Sequence, residues 1–168
     1  MGDSSVFYHE DDYGLIELFS ISDLGPRTDE TDRVGVIGQL YYCQQAGEHQ
    51  NLKINKDEFE QTLAANSISF FKTVYTGYST QRILEADTCG FGYENYTIFY
   101  KHKNNHVINS WIVYHHIIGD IDGYPERLQH ALHKLGEKFD LMLVDWGEWL
   151  IIDLKQEKLL SEYLTEFF

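Results

Sequence analysis

The residues that could bind a metal are histidines of a predicted helix in the C-terminal third of the chain. His130 and His133 are three positions apart, and Glu137 lies one turn further on. Histidine nitrogens and carboxylate oxygens are common zinc ligands. However, the zinc-binding helix motif places two histidines four positions apart with a glutamate between them, and this spacing differs. Because a leucine stripe takes the core-facing side of this helix, we interpret the histidines as structural or exposed and predict no metal site.

Cys89 is the candidate nucleophile, because neighbouring glycines could expose its thiol. A reactive thiolate needs a nearby cation or a helix N-terminus to lower its pKa. Arg82 is the nearest basic residue in the sequence, and no histidine is suitably placed. The chain also contains no G-x-S-x-G motif and no glycine-rich phosphate loop. We therefore predict no catalytic residue and no cofactor, with an enzyme that uses Asp145 and His115 as an alternative.

Two short segments combine acidic residues with an aromatic residue. They contribute seven candidate contact residues for a partner: Glu10, Asp11, Asp12 and Tyr13 in the first segment, and Asp145, Trp146 and Glu148 in the second. Carboxylates pair well with lysine and best with arginine, which can bind them in a bidentate manner. Tyrosine and tryptophan are favoured as anchors in protein interfaces. The two segments therefore predict a surface that binds a basic protein.

The charge of the chain restricts the kind of partner. The formal net charge is -14 at pH 7. The acidic excess is concentrated in residues 1–32 and 140–168, so the two ends would form one acidic face if they pack side by side. Nucleic acids and anionic membranes are both bound by basic patches, so this charge argues against direct binding to either. The oligomeric state stays open.

The N-terminal half predicts two strands and one helix. Residues 13–19 are rich in isoleucine, leucine and aromatic residues, and residues 34–43 are apolar and β-branched, so each range predicts a strand. Asn55 is a good N-cap and Glu58 follows three residues later, which indicates the start of a helix. Residues 70–78 are aromatic and β-branched but are interrupted by a glycine, so their class stays open.

The C-terminal half predicts a hairpin, a helix and further sheet. Residues 90–116 read as sheet, and Asn104-Asn105 provides the turn of a hairpin. Pro125 suits the first turn of a helix, whose stripe of leucines would end at Gly136. Residues 139–144 form a short apolar run that is typical of a strand buried on both faces.

The last elements complete the fold prediction. Residues 149–152 are the expected hairpin partner of the preceding strand, and Asp153 with Gln156 has the spacing of a capping box for a final helix. Strands occur in runs with helices between them. The sequence therefore predicts an α+β fold, a mainly antiparallel sheet with about three helices packed on it, in a single domain over residues 1–168.

Cysteine use and hydropathy bear on the compartment. Cys43 and Cys89 form neither a disulfide framework nor a C-x-x-C motif, so we expect both to be reduced. No apolar run approaches about 18 residues, and residues 1–12 lack the features of a signal peptide. These observations predict a cytoplasmic location.

Three segments carry a family resemblance. They are Phe7-Tyr-His-Glu-Asp-Asp-Tyr13, Val74-Tyr-Thr-Gly-Tyr-Ser79, and Leu143-Val-Asp-Trp146 followed by Ile152-Asp-Leu154. Together they resemble a family of small bacterial proteins encoded beside polymorphic toxins of the Rhs and contact-dependent inhibition type. The resemblance implies an immunity protein that binds a cognate toxin domain in the cytoplasm and blocks its active site. Such proteins need no catalytic residues, and many are acidic because many of the toxins are basic nucleases.

The sequence therefore leaves three classes of function open. The leading hypothesis is an immunity protein that binds its toxin through an acidic surface containing aromatic residues. The alternatives are a small cytoplasmic enzyme, which would need converging groups with shifted pKa values in a pocket, and an adaptor subunit, which would expose a large apolar patch.

Overall fold

The computed structural model describes residues 4–24, 52–78, 80–115 and 124–167. This part of the chain contains three α-helices and eleven strands, and the predicted α+β fold is confirmed. The predicted strand over residues 34–43 and Cys43 lie outside the described residues. In the described part, no helix is both long and apolar enough to cross a membrane.

The larger sheet is antiparallel throughout. Its strands are β2 (Ile16–Ser20), β3 (Ile54–Asn55), β4 (Ser69–Phe71), β7 (Thr88–Tyr93), β8 (Tyr96–Lys103), β9 (His106–Tyr114), β10 (Leu141–Asp145) and β11 (Leu150–Asp153). The strand order is β11-β10-β2-β9-β8-β7-β4, and the short β3 also pairs with β9. Strand β2 therefore lies between β9, from the middle of the sequence, and β10, from near its end.

The hairpin predicted at Asn104-Asn105 is confirmed. The register pairs Lys103 with His106, which leaves the two asparagines as the loop. Their φ angles are 50° and 59°. A two-residue turn with positive φ at both positions has the twist that antiparallel strands require, and asparagine adopts it more readily than most residues. Local turn chemistry therefore sets the pairing next to the turn, and the register shifts between Lys101 and His102.

Three helices cover one face of the large sheet. They are α1 (Lys56–Ala64), α2 (Glu126–Phe139) and α3 (Glu157–Phe167). Helix α1 begins as predicted, since the side chain of Asn55 accepts a 3.1 Å hydrogen bond from the Glu58 N–H. Its apolar face buries Phe59 and Leu63 completely. The predicted leucine stripe of α2 and Leu160, Tyr163 and Leu164 of α3 are buried in the same core.

The predicted end of α2 at Gly136 is wrong. The helix continues to Phe139 and ends at Asp140, whose φ is 56° and whose N–H donates to the Gly136 carbonyl. Gly136 is required for a different reason. A Cβ atom at this position would lie 2.5 Å from the Leu154 Cβ and 2.6 Å from its carbonyl carbon. The absence of a side chain lets α2 pack directly against the segment that leads into α3.

The capping box predicted at Asp153 does not open α3. The Asp153 carboxylate accepts a 3.0 Å hydrogen bond from the Lys155 N–H and so stabilises a turn. The helix begins at Glu157, one residue after Gln156. The prediction that residues 149–152 pair with the preceding strand is confirmed, because β11 pairs antiparallel with β10.

A smaller sheet covers part of the other face. It contains β1 (Ser5–Phe7), β5 (Thr73–Tyr78) and β6 (Gln81–Leu84) in the order β1-β5-β6. Strands β1 and β5 pair in parallel. The sequence did not predict the secondary structure of residues 70–78. These residues form parts of β4 and β5, which belong to two different sheets. Beneath the smaller sheet, Tyr8, Val74, Phe99, Trp111 and Val113 form a second core cluster.

The Gly136→Ala substitution tests the close contact between α2 and Leu154. The added methyl group would meet backbone that cannot move independently, so we expect the free energy of unfolding to fall by about 1–3 kcal/mol or more. Urea unfolding followed by circular dichroism measures this loss.

The matched control is Gly147→Ala, because a Cβ there would meet only the Asp145 Oδ1 atom, at 3.3 Å. We expect a clearly smaller loss for the control. Equal losses for the two variants would show that close packing at Gly136 does not limit stability.

Candidate functional site

The first predicted contact segment is a single 3-10 turn, Glu10–Asp12, between β1 and β2. The His9 ring caps the turn, since its Nδ1 accepts a hydrogen bond from the Asp11 N–H at 3.4 Å. The Asp11 side chain is 73% exposed, and its Oδ2 lies 3.3 Å from the His9 Nδ1. None of the three acids that form this turn is buried. The turn therefore presents carboxylates to solvent beside the His9 ring.

Tyr13 anchors this segment to the second core cluster. Its ring packs edge to face on Trp111, with 4.9 Å between ring centroids. Its hydroxyl accepts a 3.2 Å hydrogen bond from Asn109 Nδ2. Burial raises the pKa of Tyr13, which keeps the phenol neutral at physiological pH. Tyr13 is nevertheless 38% exposed, so part of its ring is available to a partner.

Asp145 of the second predicted segment is buried, with 6% of its surface exposed. One carboxylate oxygen accepts hydrogen bonds from the N–H groups of Gly147 and Glu148, at 2.9 and 3.0 Å. The other accepts a 2.7 Å hydrogen bond from the Tyr163 hydroxyl. The carboxylate is thus occupied within the fold. Asp145 shapes the β10–β11 turn and holds it to α3, and it presents no charge to solvent.

The remaining residues of the second segment are more accessible. Glu148 is exposed, and the neighbouring Trp149 is 52% exposed. Trp146 is half-buried, and its ring packs edge to face on Phe19 with 5.8 Å between centroids. Its backbone N–H donates a 2.9 Å hydrogen bond to the Leu15 carbonyl. This bond joins the second predicted segment to Leu15, two residues after the end of the first segment.

Glu17 links the two segments, and the sequence reading missed it. It lies in the centre of the sheet on β2 and is only 6% exposed. Its carboxylate accepts a 2.8 Å hydrogen bond from Trp146 Nε1. Burial raises the pKa of Glu17, whereas hydrogen bonds from Trp146 and Asn109 act in the opposite direction. A single acid between apolar residues in a predicted strand was the signal that could have identified it.

A chain of hydrogen bonds therefore connects Trp146, Glu17, Asn109 and Tyr13. It joins the two predicted segments across β2 and β9. We define the acidic–aromatic surface by the residues that surround this chain: Glu10, Asp11, Asp12, Tyr13, Leu15, Trp146, Glu148 and Trp149. Its exposed members include carboxylates, two aromatic rings and Leu15, which is 49% exposed.

The pair proposed for an enzyme is engaged elsewhere. Asp145 bonds Tyr163, while His115 Nε2 forms a 2.9 Å hydrogen bond with Thr97 Oγ1. Burial lowers the pKa of His115 and favours its neutral form. Burial also raises the pKa of Cys89, which favours the unreactive thiol over the thiolate. These bonds and pKa shifts give no acid–base pair at the predicted positions.

The two histidines of α2 have different surroundings. His133 lies with its Nε2 3.5 Å from Glu137 and its Nδ1 2.9 Å from the Leu154 carbonyl, whereas His130 is exposed. Within the described ranges, no group of three histidine, cysteine, aspartate or glutamate residues could hold a metal ion.

Comparisons of the chain with protein-family models, with curated proteins and with solved structures find no match.

The Glu17→Gln variant tests the buried carboxylate. Because folding raises the pKa of Glu17, the folded protein retains this proton at pH values at which the unfolded chain has lost it. The contribution of Glu17 to the free energy of unfolding must then decline as pH rises from about 4.5 through the raised pKa. Glutamine keeps an acceptor for Trp146 but cannot ionise.

We therefore expect the stability of Glu17→Gln relative to the natural protein to increase across this pH range. Urea unfolding at a series of pH values, followed by tryptophan fluorescence, measures the difference. A difference that stays constant with pH would show that the carboxylate carries no burial penalty.

Proposed function

We propose that this protein is an immunity protein, which binds a cognate bacterial toxin domain through the acidic–aromatic surface and inhibits it. The observation that carries the proposal is the junction of the two segments. The Trp146 backbone bond to Leu15 and its indole bond to Glu17 place aromatic side chains beside the acidic turn. A surface that combines exposed carboxylates with exposed aromatic rings has the composition of a protein-binding site for a basic partner.

Charge supports a basic partner. The chain carries a net charge of -14, and Asp11 and Glu148 project from the acidic–aromatic surface. Opposite charges on two proteins steer their encounter and raise the association rate more than they raise the final affinity. An inhibitor that must neutralise a toxin quickly benefits from a high association rate. An acidic surface can also occupy the groove in which a basic nuclease holds nucleic acid.

The aromatic residues supply the affinity that charge alone does not. Tyr13 is 38% and Trp149 is 52% exposed, and large stiff side chains lose little conformational entropy on binding. Tyr13 is already held by Trp111 and Asn109 before a partner arrives. Such preorganisation lowers the entropic cost of binding. The resemblance of three segments to immunity proteins supports a toxin domain in the cytoplasm as the proposed partner.

The proposed function is tested by co-expression with the C-terminal domain of the large protein encoded by the neighbouring gene. That domain should stop growth when it is expressed alone. Growth should be rescued by co-expression, and the two proteins should co-purify. A toxic domain that is neither rescued nor bound would contradict the proposal.

The double variant Asp11→Asn, Asp12→Asn tests electrostatic steering. Removal of two charges from the acidic turn should slow association with the toxin domain roughly tenfold at low salt and flatten its salt dependence. Stopped-flow fluorescence at several salt concentrations measures both effects.

A control removes the same charge elsewhere. Glu58→Gln with Glu157→Gln neutralises two exposed acids of the helix layer, on the opposite side of the large sheet. This control should retain most of the natural association rate. If the two double variants behave alike, only the net charge matters and the acidic turn is not part of the interface.

The Trp149→Ala variant tests the aromatic anchor. Truncation of a central interface tryptophan costs about 2 kcal/mol or more of binding free energy, or roughly 30-fold in Kd. The matched control is Phe70→Ala, which truncates a 42% exposed ring on β4 at the far end of the large sheet. Calorimetric titration with the toxin domain should show the loss for Trp149 alone, and an unchanged Kd would remove Trp149 from the interface.

A further inference from the structure

Strand β6 is an unusually exposed edge. It ends the smaller sheet, and all four of its residues, Gln81 to Leu84, are exposed. Ile83 is 54% and Leu84 is 60% exposed. Because successive side chains of a strand point to opposite faces, these two apolar residues place exposed surface on both sides of the sheet. Within the described part of the chain, β5 is the strand that pairs with β6, and the other side of β6 bears no partner strand.

Soluble proteins usually protect such an edge with outward charges, proline or a covering segment, because its free N–H and C=O groups can pair with another chain. The charged residue of β6 does not serve this purpose. Arg82 folds over the ring of Phe7, with its guanidinium carbon 5.0 Å from the ring centroid. The exposed edge therefore retains two adjacent apolar side chains, and its one cation, Arg82, lies over Phe7.

The edge is continuous with the acidic–aromatic surface. Tyr78, which pairs with Gln81 at the turn end of the β5–β6 hairpin, is 52% exposed. Its ring packs edge to face against His9, with 5.1 Å between centroids. His9 in turn caps the acidic turn, Glu10–Asp12. The acidic turn follows β1, on the far side of β5 from β6, so a segment that pairs with β6 would reach its carboxylates by continuing past Gln81 and across the turn end of the hairpin.

We infer that β6 is a docking edge, to which a partner protein adds an extended strand that carries apolar side chains for Ile83 and Leu84 and basic side chains for the acidic turn. Main-chain hydrogen bonds to the edge would provide affinity, and the alternation of side chains would provide specificity. Charge decides between possible occupants. A second copy of this chain would bring another net charge of -14, whereas a basic strand is attracted. The inference builds on the proposed function by specifying how the partner binds.

The test uses a synthetic probe, so its outcome is independent of the toxin experiment. The probe is a peptide of about ten residues that alternates lysine and valine, a length typical of a strand. Its control has the same side chains but N-methyl groups on alternate backbone nitrogens, which keeps the charge and prevents strand pairing. Titration at low salt would be followed by fluorescence anisotropy and by amide chemical shifts of the isotope-labelled protein.

Two variants and a matched control locate the binding site. Ile83→Lys places a cation on the edge. Leu84→Pro removes an outward N–H, because the next residue, Glu85, donates its N–H inward to the Val74 carbonyl at 2.9 Å. The control is Ile68→Lys, which makes the same substitution at a residue that is 52% exposed but lies outside β6.

The inference predicts that the unmethylated peptide binds and that amide shifts change in β6 and in the Glu10–Asp12 turn. Ile83→Lys and Leu84→Pro should each weaken binding by about tenfold or more, and Ile68→Lys should not. Equal binding of the methylated peptide, equal binding by all variants, or no binding by the natural protein would overturn the inference. A dimer in light scattering that Ile83→Lys dissolves would also overturn it, because the occupant would then be a second copy.

Discussion

The hydrogen bond from the Trp146 indole to the Glu17 carboxylate joins positions 129 residues apart, and the proposed binding surface depends on it. Strand β2 makes this contact possible because it lies between β9 and β10 in the sheet. The same strand fixes the start of the acidic segment and the place where the β10–β11 turn leaves the sheet. If β2 moved, the acids of the 3-10 turn and the tryptophans of the β10–β11 turn would no longer lie on one surface.

Burial of a carboxylate lowers the stability of a folded protein, and the hydrogen bonds around Glu17 explain why this fold tolerates it. Desolvation disfavours the charged form of Glu17, but the Trp146 and Asn109 side chains donate hydrogen bonds to it. Removal of one donor would leave a buried group unsatisfied, which costs more than the hydrogen bond contributes. Glu17 therefore restricts where Trp146 and Asn109 can lie. Through Asn109, this restriction extends to the Tyr13 hydroxyl.

The two faces of the large sheet are covered by different kinds of element. The helix face is closed by three amphipathic helices, which bury a continuous apolar core. The other face is covered by aromatic residues, with Trp111 stacked on Phe99 and contacted by Tyr8 and Tyr13. The smaller sheet rests on this second cluster and leaves β6 exposed beyond it. The acidic turn and the β6 edge thus lie on the side of the large sheet opposite the helices, whereas the β10–β11 turn also contacts α3 through Asp145 and Tyr163.

Local chemistry in the sequence determined most of the secondary structure. Asn55 caps α1, two asparagines make the β8–β9 turn, and the leucine stripe directs α2 to the core, because each depends on residues within a few positions. The sequence also identified the acidic and aromatic segments by composition. Only the tertiary structure decided that Asp145 is buried, that Glu17 joins the segments, and that Gly136 makes room for Leu154. The sequence likewise could not predict the parallel pairing of β1 with β5, because burial and strand pairing arise from contacts between residues far apart in the chain.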